Sequence, residues 1–373
     1  MEKNPKIIAY YLPQYHPFPE NDEWWGKGFT EWTNVARAVP LYKGHYQPRI
    51  PADLGFYDLR LPQIREEQAE LAREAGVYGF CYWHYWFGNG KQLMADIFDD
   101  VLASGKPDFP FCLGWANHSW YAKNWNVKDS TKDKLLIEQK YLGDDDIRMH
   151  YEYVLRAFKD PRYIKQDGKP IFTIYAPHML PSNYNMIELW NKWAKEDGFK
   201  DGIYFVASYT PKYLDEREDI NWINKGFSAV IPARLYRHLL CQTGGKRFLS
   251  LKYYIHKYLG QVGFMQKYKY SDVAPYFSNE VADKREYVIP TLIPNFDHSP
   301  RSKKSGYILH GSSPDLFKKH CMDIMSHVKD KNCDLIWLRS WNEWGEGNYM
   351  EPDLRYGKGY LNALKEAIDE IYK

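Results

Sequence analysis

Residues 334–347 read DLIWLRSWNEWGEG. The stretch begins as an unbroken apolar run, Leu335-Ile336-Trp337-Leu338, and ends in a glycine-punctuated turn that carries two glutamates, Glu343 and Glu346. An unbroken run of this kind is what a parallel strand covered on both faces requires, whereas a strand with one wet face alternates. Polar chemistry gathered just past the carboxyl end of such a strand is the layout of a barrel whose site is built by the loops leaving its strands.

Working outward from that stretch, similar apolar runs occupy residues 7–15, 78–86, 109–117, 170–175, 203–209, 228–232 and 287–295, with 334–341 as the last. Amphipathic windows at 62–75, 91–102, 146–158, 185–196, 214–225, 248–260, 314–328 and 359–372 separate or follow them. Eight strand–helix units predict an α/β fold, a (β/α)8 TIM barrel with extended βα loops, more readily than an open sheet. No Ser/Gly-rich linker interrupts residues 1–373, so a single domain is expected. No Gly-x-Gly-x-x-Gly follows the first run, against a dinucleotide fold.

Composition narrows the function classes. Net charge is +2 with no block of like charge, which gives no reason to expect nucleic acid or an anionic membrane as partner. Aromatic residues make up 17% of the chain, including 14 Trp and 32 Tyr. Trp and Tyr each carry a polar tip that needs a partner, so such an excess suits either a thick core or a site for flat amphipathic ligands such as pyranoses. The five cysteines (Cys81, Cys112, Cys241, Cys321, Cys333) are odd in number and lack C-x-x-C spacing, so neither a disulfide scaffold nor a zinc site is expected. With no H-E-x-x-H or EF-hand pattern, the expectation is no metal and no cofactor. No apolar run is long enough to span a membrane and the first residues carry no signal core, so the expected compartment is the cytoplasm.

Aromatic and hydrogen-bonding residues collect at the carboxyl ends of the runs. The first supplies Tyr11, Gln14 and Tyr15, the second Trp83, His84 and Tyr85, and the third Trp115, Asn117, His118 and Trp120. Tyr175 ends the fourth, Tyr209 the fifth, Asn295 and Asp297 the seventh, Trp341 and Asn342 the eighth, and Arg234 follows the sixth. The amino-terminal ends carry nothing comparable, a polarity that a sugar-lined cleft explains better than packing does. Individually, Tyr15, Trp83, Trp115 and Trp120 are stacking platforms or core, and His84 a ligand contact or a core histidine. Asn117 and Asn342 bridge sugar hydroxyls or pin loops, with pinning favoured for Asn342. Asp297 is a third acid or an Asx-turn residue, and Arg234 a binder for a phosphate or uronate. The loop at 22–32 brings Glu31 and three tryptophans as either a cleft wall or a packed cap.

Glu343 and Glu346 are the candidate catalytic residues. Gly345 and Gly347 let the backbone turn so that both carboxyls could enter one pocket. Glycosidic cleavage needs one carboxyl to protonate the leaving oxygen and another on the opposite side, ~5–5.5 Å away in retaining enzymes. Two acids that close would also drive their pKa values apart.

Several segments resemble the WbsX-type family of bacterial polysaccharide-biosynthesis clusters, itself similar to glycoside hydrolase family 99. They are YYLPQYHPFP at 10–19, NDEWWGKGFTEWTN at 21–34, GHYQPRIP at 44–51, DLGFYDLR at 53–60, YGFCYWHYWF at 78–87 and SWNEWGEG at 340–347, with DPRY at 160–163 and GKP at 168–170. The resemblance implies a (β/α)8 barrel acting with retention on α-mannosides, as family 99 does. It implies Glu343 as base on the sugar 2-hydroxyl, giving a 1,2-anhydro sugar, and Glu346 as acid and then base. Glu343 as a direct nucleophile is the mechanistic alternative. The chain departs from the resemblance where relatives commonly read W-A-N-E-N-W: residues 115–120 here are WANHSW, with His118 in place of the acid.

The leading expectation is therefore a retaining glycoside hydrolase or transglycosidase acting on a polysaccharide or lipid-linked glycan. One rival is a glycosyltransferase of O-antigen or capsule polysaccharide biosynthesis. Its diphosphate device is not evident, since Asp144-Asp145-Asp146 reads as a helix N-terminus. The other rival is a catalytically silent glycan-binding barrel.

Overall fold

The computed structural model describes residues 4–122, 134–243 and 265–373. Eight strands run parallel: β1 (Lys6–Tyr11), β2 (Gly79–His84), β3 (Phe111–Trp115), β4 (Lys169–Ile174), β5 (Tyr204–Tyr209), β6 (Ala229–Pro232), β7 (Thr291–Leu292) and β8 (Leu335–Leu338). They are hydrogen-bonded in the order β7-β8-β1-β2-β3-β4-β5-β6. The circle closes between β6 and the segment entering β7. There Val230 pairs in parallel with Val288, its N–H donating to Tyr287 O at 2.8 Å, while Ile289 N–H donates to Val230 O at 2.8 Å. The protein is thus an α/β barrel.

Helices α1 (Pro62–Glu74), α2 (Ala95–Ser104), α3 (Asp144–Phe158), α4 (Met186–Glu196), α5 (Arg217–Asn224), α6 (Arg237–Thr243), α7 (Pro314–Val328) and α8 (Gly359–Tyr372) follow the strands in turn. The expected aspartate triplet opens α3, where negative charge meets the positive end of the helix dipole. Ser313 caps α7 by accepting from Leu316 N–H, with Pro314 at the first helical position. Trp190 of α4 is fully buried against Phe158, Phe172 and Phe205. Burial of a side chain that size contributes about 3 kcal/mol of transfer free energy before conformational entropy is subtracted.

The seventh strand is shorter than its apolar run predicts. Pro290 and Pro294 bracket it and supply no N–H to a ladder, so only Thr291–Leu292 pair with β8. The first loop holds two short helices, Pro19–Trp25 and Glu31–Ala36. A hairpin, Trp120–Ala122 with Lys134–Ile137, extends the third βα loop. A parallel pair, Gln266–Lys269 with Tyr307–His310, covers a satellite core of Leu235, Tyr270, Phe296 and Leu309. The helix expected at 248–260 lies outside the described residues. Among the described residues, no helix is long and apolar enough to cross a membrane.

Candidate active site

The loop leaving β8 turns through a single 3-10 turn, Trp344–Glu346, and Gly347 closes it with φ +54°. Glu343 and Glu346 emerge on one side of that turn and meet the same guanidinium. Arg301 Nη2 donates to Glu343 Oε2 at 3.1 Å and Nη1 to Glu346 Oε1 at 2.7 Å. A third acid joins them, with Arg301 Nε donating to Glu31 Oε2 at 3.0 Å. Glu31 enters from the helix Glu31–Ala36, whose capping box is built by Thr30 and Thr33. A Cβ at Gly345 would lie 2.0 Å from Glu31 Oε2, so this turn and that carboxylate fit together only with glycine here.

Arg301 comes from the four-residue helix Ser299–Ser302, and Asp297 fixes that helix. Asp297 Oδ1 accepts from Ser299 N–H at 3.0 Å, an Asx-turn, and Oδ2 accepts from His45 and Gln47 at 2.8 Å each. Its N–H donates to Glu346 O at 2.6 Å, tying the arginine's segment to the glutamate loop. His298 Nε2 lies 3.9 Å from Glu346 Oε1.

Burial pushes the Glu343 carboxyl up to about 7; Arg301 pulls it down, while Glu346 and Glu31 push it up again. Burial opposes the charge on Arg301, but the three carboxylates overcome that and hold its pKa well above the usual value. Arg339, half-buried just past the end of β8, carries a second positive charge into the cluster, felt by Glu343 and Glu346. For Asp297, burial is outweighed by His45, Arg49 and its other donors, so the carboxyl falls to about 2 and stays ionised.

Strand parity decides which of the expected residues line this site. Along β2, Trp83 and Tyr85 turn to the barrel mouth while His84 turns outward. Trp83 stacks on Tyr10 at 4.3 Å and meets the edge of Tyr175 at 5.2 Å, and Gly114 leaves room for its ring. His118 lies 5.6 Å from Tyr175, its imidazole pKa lowered by burial. Trp120 packs edge-on to Tyr85 at 5.2 Å. Burial first, and then the charge on Glu343, raise the Tyr85 phenol well above its usual range. Trp83, Tyr85, His118, Trp120 and Tyr175 are thus brought together as a wall beside the acids.

The other expected side chains make their hydrogen bonds, ion pairs and ring contacts within the protein. His84 donates to or accepts from His150 at 2.8 Å and stacks on Tyr153, both on α3; burial lowers its pKa to about 3. Trp115 lies on the same outward side, its indole N–H donating to Trp86 O at 2.9 Å. Tyr11 donates to Gln68 of α1 at 2.6 Å, and Tyr209 donates to Asp219 of α5. Trp341 is buried against Phe80. Arg234 is taken up by Asp283, both buried, and so is not available to a substrate anion. Asn117 pins the end of β4, accepting from Ala176 N–H at 2.7 Å and donating to Ala176 O at 2.9 Å. Asn342 accepts from Leu12 N–H at 2.7 Å, as its loop-pinning reading expects. Tyr15 donates to Asn342 O and accepts from Trp344 N–H at 3.1 Å, and so braces the glutamate turn. Gln14 receives Glu31 N–H at its carbonyl, 3.3 Å away. Asn295 is buried and lines a separate cavity beside Asp297.

Sequence reasoning missed Arg301 and Arg339. Arg339 could have been found two residues before Trp341 on the same strand end. Arg301 had no signal, lying 42 and 45 residues from the two glutamates it joins and 270 from Glu31. Among the described residues, no group of three or more His, Cys, Asp or Glu is arranged to hold a metal ion.

Comparison with known proteins identifies the family and the fold. A family model described as "Glycosyltransferase WbsX" matches residues 7–364. An uncharacterised protein, WxcX, from each of two strains of Xanthomonas campestris pv. campestris is 34% identical over 379 residues, covering 97% of this chain and 49% of the relative. The chain therefore spans about half the length of the curated relatives it matches. Among solved structures, the GH99 endo-alpha-mannosidase of Bacteroides thetaiotaomicron aligns at TM-score 0.52 with 15% identity, covering 98% of this chain and 97% of the other. A structure described as a glycoside hydrolase-like protein aligns at TM-score 0.61 with 17% identity, covering 98% and 94%. At such identities the likeness establishes the barrel and nothing finer.

Proposed function

The chain belongs to the WbsX glycosyltransferase family, and from that premise we propose that it is a carbohydrate-active enzyme that breaks or remakes a glycosidic bond with Glu343 and Glu346. The single observation that carries this reading is that both carboxyls reach one guanidinium at the mouth of an aromatic-walled barrel.

In the mechanism we favour, Glu343 takes the proton of the sugar 2-hydroxyl as that oxygen closes on the anomeric carbon. The bond to the leaving oxygen breaks, and Glu346 gives that oxygen its proton. Water or an acceptor hydroxyl then attacks the anomeric carbon and passes its proton to Glu346, while the 2-oxygen regains its own from Glu343. A base works best with a pKa near the operating pH, and a carboxyl held at about 7 meets that condition. The attacking hydroxyl is already on the ring, so little orientation entropy is lost. Trp83, Tyr85, His118, Trp120 and Tyr175 would contact the glycan, with His118 where relatives carry an acid. Residues 1–373 act as one barrel domain in this reading. The substrate is a polysaccharide or lipid-linked glycan. The cytoplasm suits the five cysteines, none of which is paired.

Transfer from an activated sugar is the second reading. It is favoured by the family's description and by two guanidiniums, Arg301 and Arg339, that could face a phosphate. The experiment is incubation of wild type, Glu343→Gln and Glu346→Gln with α-mannans and with nucleotide sugars, followed by mass spectrometry. Shortened mannan supports hydrolysis, and released nucleotide with an extended glycan supports transfer. Unchanged rates in both variants would remove the carboxyl pair from the chemistry.

A further inference from the structure

Behind the carboxyl site lies a second cavity of about 180 Å³. Its walls come from the GHYQPRIP segment, from residues 295–297 and 309–312, and from the loop before α8. An engineered cavity of about 150 Å³ holds a benzene ring, so this one has room for a single six-membered ring or a small anion. Arg49 forms the partition: its Nη1 donates to Gly347 O at 3.1 Å, and Nη2 lies 3.9 Å from Asp297 Oδ2.

The cavity is lined by two carboxylates, Asp297 and Asp353, and two arginines, Arg49 and Arg355. Asp353 is already occupied, accepting from Tyr349 Oη at 2.6 Å and from the N–H groups of Arg355 and Tyr356 at 3.0 and 2.7 Å. Asp297 is likewise committed to His45, Gln47 and Ser299. Leu41 N–H donates to His45 Nδ1, so the ring proton lies on Nε2 and points at Asp297. The cations, by contrast, rest on ring faces. Arg355 lies over Tyr46 at 4.7 Å and Tyr356 at 5.3 Å, and Lys267 lies over Tyr42 at 4.2 Å. Neither forms an ion pair with a carboxylate among the described residues. Arg49 faces Tyr46 and Tyr349 at 5.5 and 5.6 Å. A guanidinium held on aromatic rings without a carboxylate, as Arg355 is among the described residues, is pre-set to receive an oxyanion, and the rings suit the apolar face of a sugar.

We propose that this cavity is a second carbohydrate subsite, selective for a sugar that carries a carboxylate or phosphate group. The proposal rests on the glycan reading for its sugar part, and it places recognition of the anion on Arg355 and Arg49, away from the glutamates. The test is calorimetric and ligand-observed NMR titration of the full chain with D-glucuronate, α-D-glucose 1-phosphate, D-glucose and inorganic phosphate at low salt. At least one charged sugar is expected to bind about tenfold more tightly than glucose, the worth of one charge-assisted contact. Preference for glucuronate or for glucose 1-phosphate identifies the anion.

Arg355→Ala alters an exposed side chain and should fold normally. It is expected to weaken the charged sugar about tenfold and leave glucose unchanged. Arg49→Lys, which keeps the charge but loses the planar fork, gives a second reading if its melting curve matches wild type. Glu346→Gln should bind all four probes as wild type does, which separates this site from the failure or success of the catalytic reading. No binding of either charged sugar at millimolar concentration overturns the proposal, as does equal binding of glucose or indifference to Arg355→Ala. Inorganic phosphate binding as tightly as glucose 1-phosphate overturns the sugar part.

Discussion

Replacing Arg301 by Gln removes a group that touches Glu31, Glu343 and Glu346 together. Two unit charges ~4 Å apart interact by about 1 kcal/mol in water and about 4 kcal/mol at the effective dielectric of a protein surface. The side chains of Glu343 and Arg301 are 11% and 23% exposed, so the pair falls between these limits. At about 1.36 kcal/mol per unit, the loss should raise the Glu343 pKa by roughly one to three units above its value near 7. Glu346 loses this donor at 2.7 Å in the same substitution, and its charge, offset less than before, adds to the rise. The readout is the carboxyl resonance of Glu343 in protein labelled with 13C-carboxyl glutamate, assigned as the signal absent from Glu343→Gln and followed against pH. Stability carries the same sign. A carboxyl whose folded pKa exceeds its unfolded value binds more protons when folded, so it contributes stability at low pH that is lost as pH rises to the folded pKa. Wild type should therefore lose stability between pH ~4.5 and ~7 on this account, and Arg301→Gln should go on losing it above pH 7. A Glu343 signal that stays near 7 or moves down in the variant would refute the electrostatic account of the site.

Glu346→Gln should lower turnover by about 10²–10⁴-fold with an unchanged melting temperature, measured once a substrate is in hand, because a neutral amide cannot protonate the leaving oxygen. Glu343→Gln should do the same and also abolish the limb of the pH–rate profile near 7. Gly345→Ala drives a Cβ to 2.0 Å from Glu31 Oε2, so that carboxylate must leave Arg301; reduced activity with a lowered melting temperature is expected, and full activity would show that Glu31 is dispensable. Arg234→Met leaves the buried Asp283 carboxylate with Asn279 N–H and His327 as partners and should cost up to about 3 kcal/mol in chemical denaturation, with KM unchanged.

The barrel was legible because parallel strands buried on both faces leave unbroken apolar runs, and because amphipathic helical windows alternate with them. The glutamate pair was legible for a related reason: two acids in a glycine-punctuated turn at a strand end have no packing role. The same property that made the strands visible hid which residues face inward. On β2 and β3 every position is apolar or aromatic, so Trp83 and His84, or Gly114 and Trp115, look alike in sequence although they turn to opposite sides. Tyr10 and Tyr11 are adjacent, yet one stacks on Trp83 in the mouth and the other reaches Gln68 on a helix. The two arginines show the limit most clearly. Arg234 follows a strand end and seemed placed for a substrate, but Asp283 takes its charge. Arg301 lies in an unremarkable SPRS segment, yet it gathers three acids. Sequence alone determined the architecture and the presence of a carboxyl pair, because both depend on local patterns of burial and turn. Only the tertiary structure decided which charges meet, because an ion pair depends on distance in space, and residues 31, 301, 343 and 346 come together only when the barrel closes.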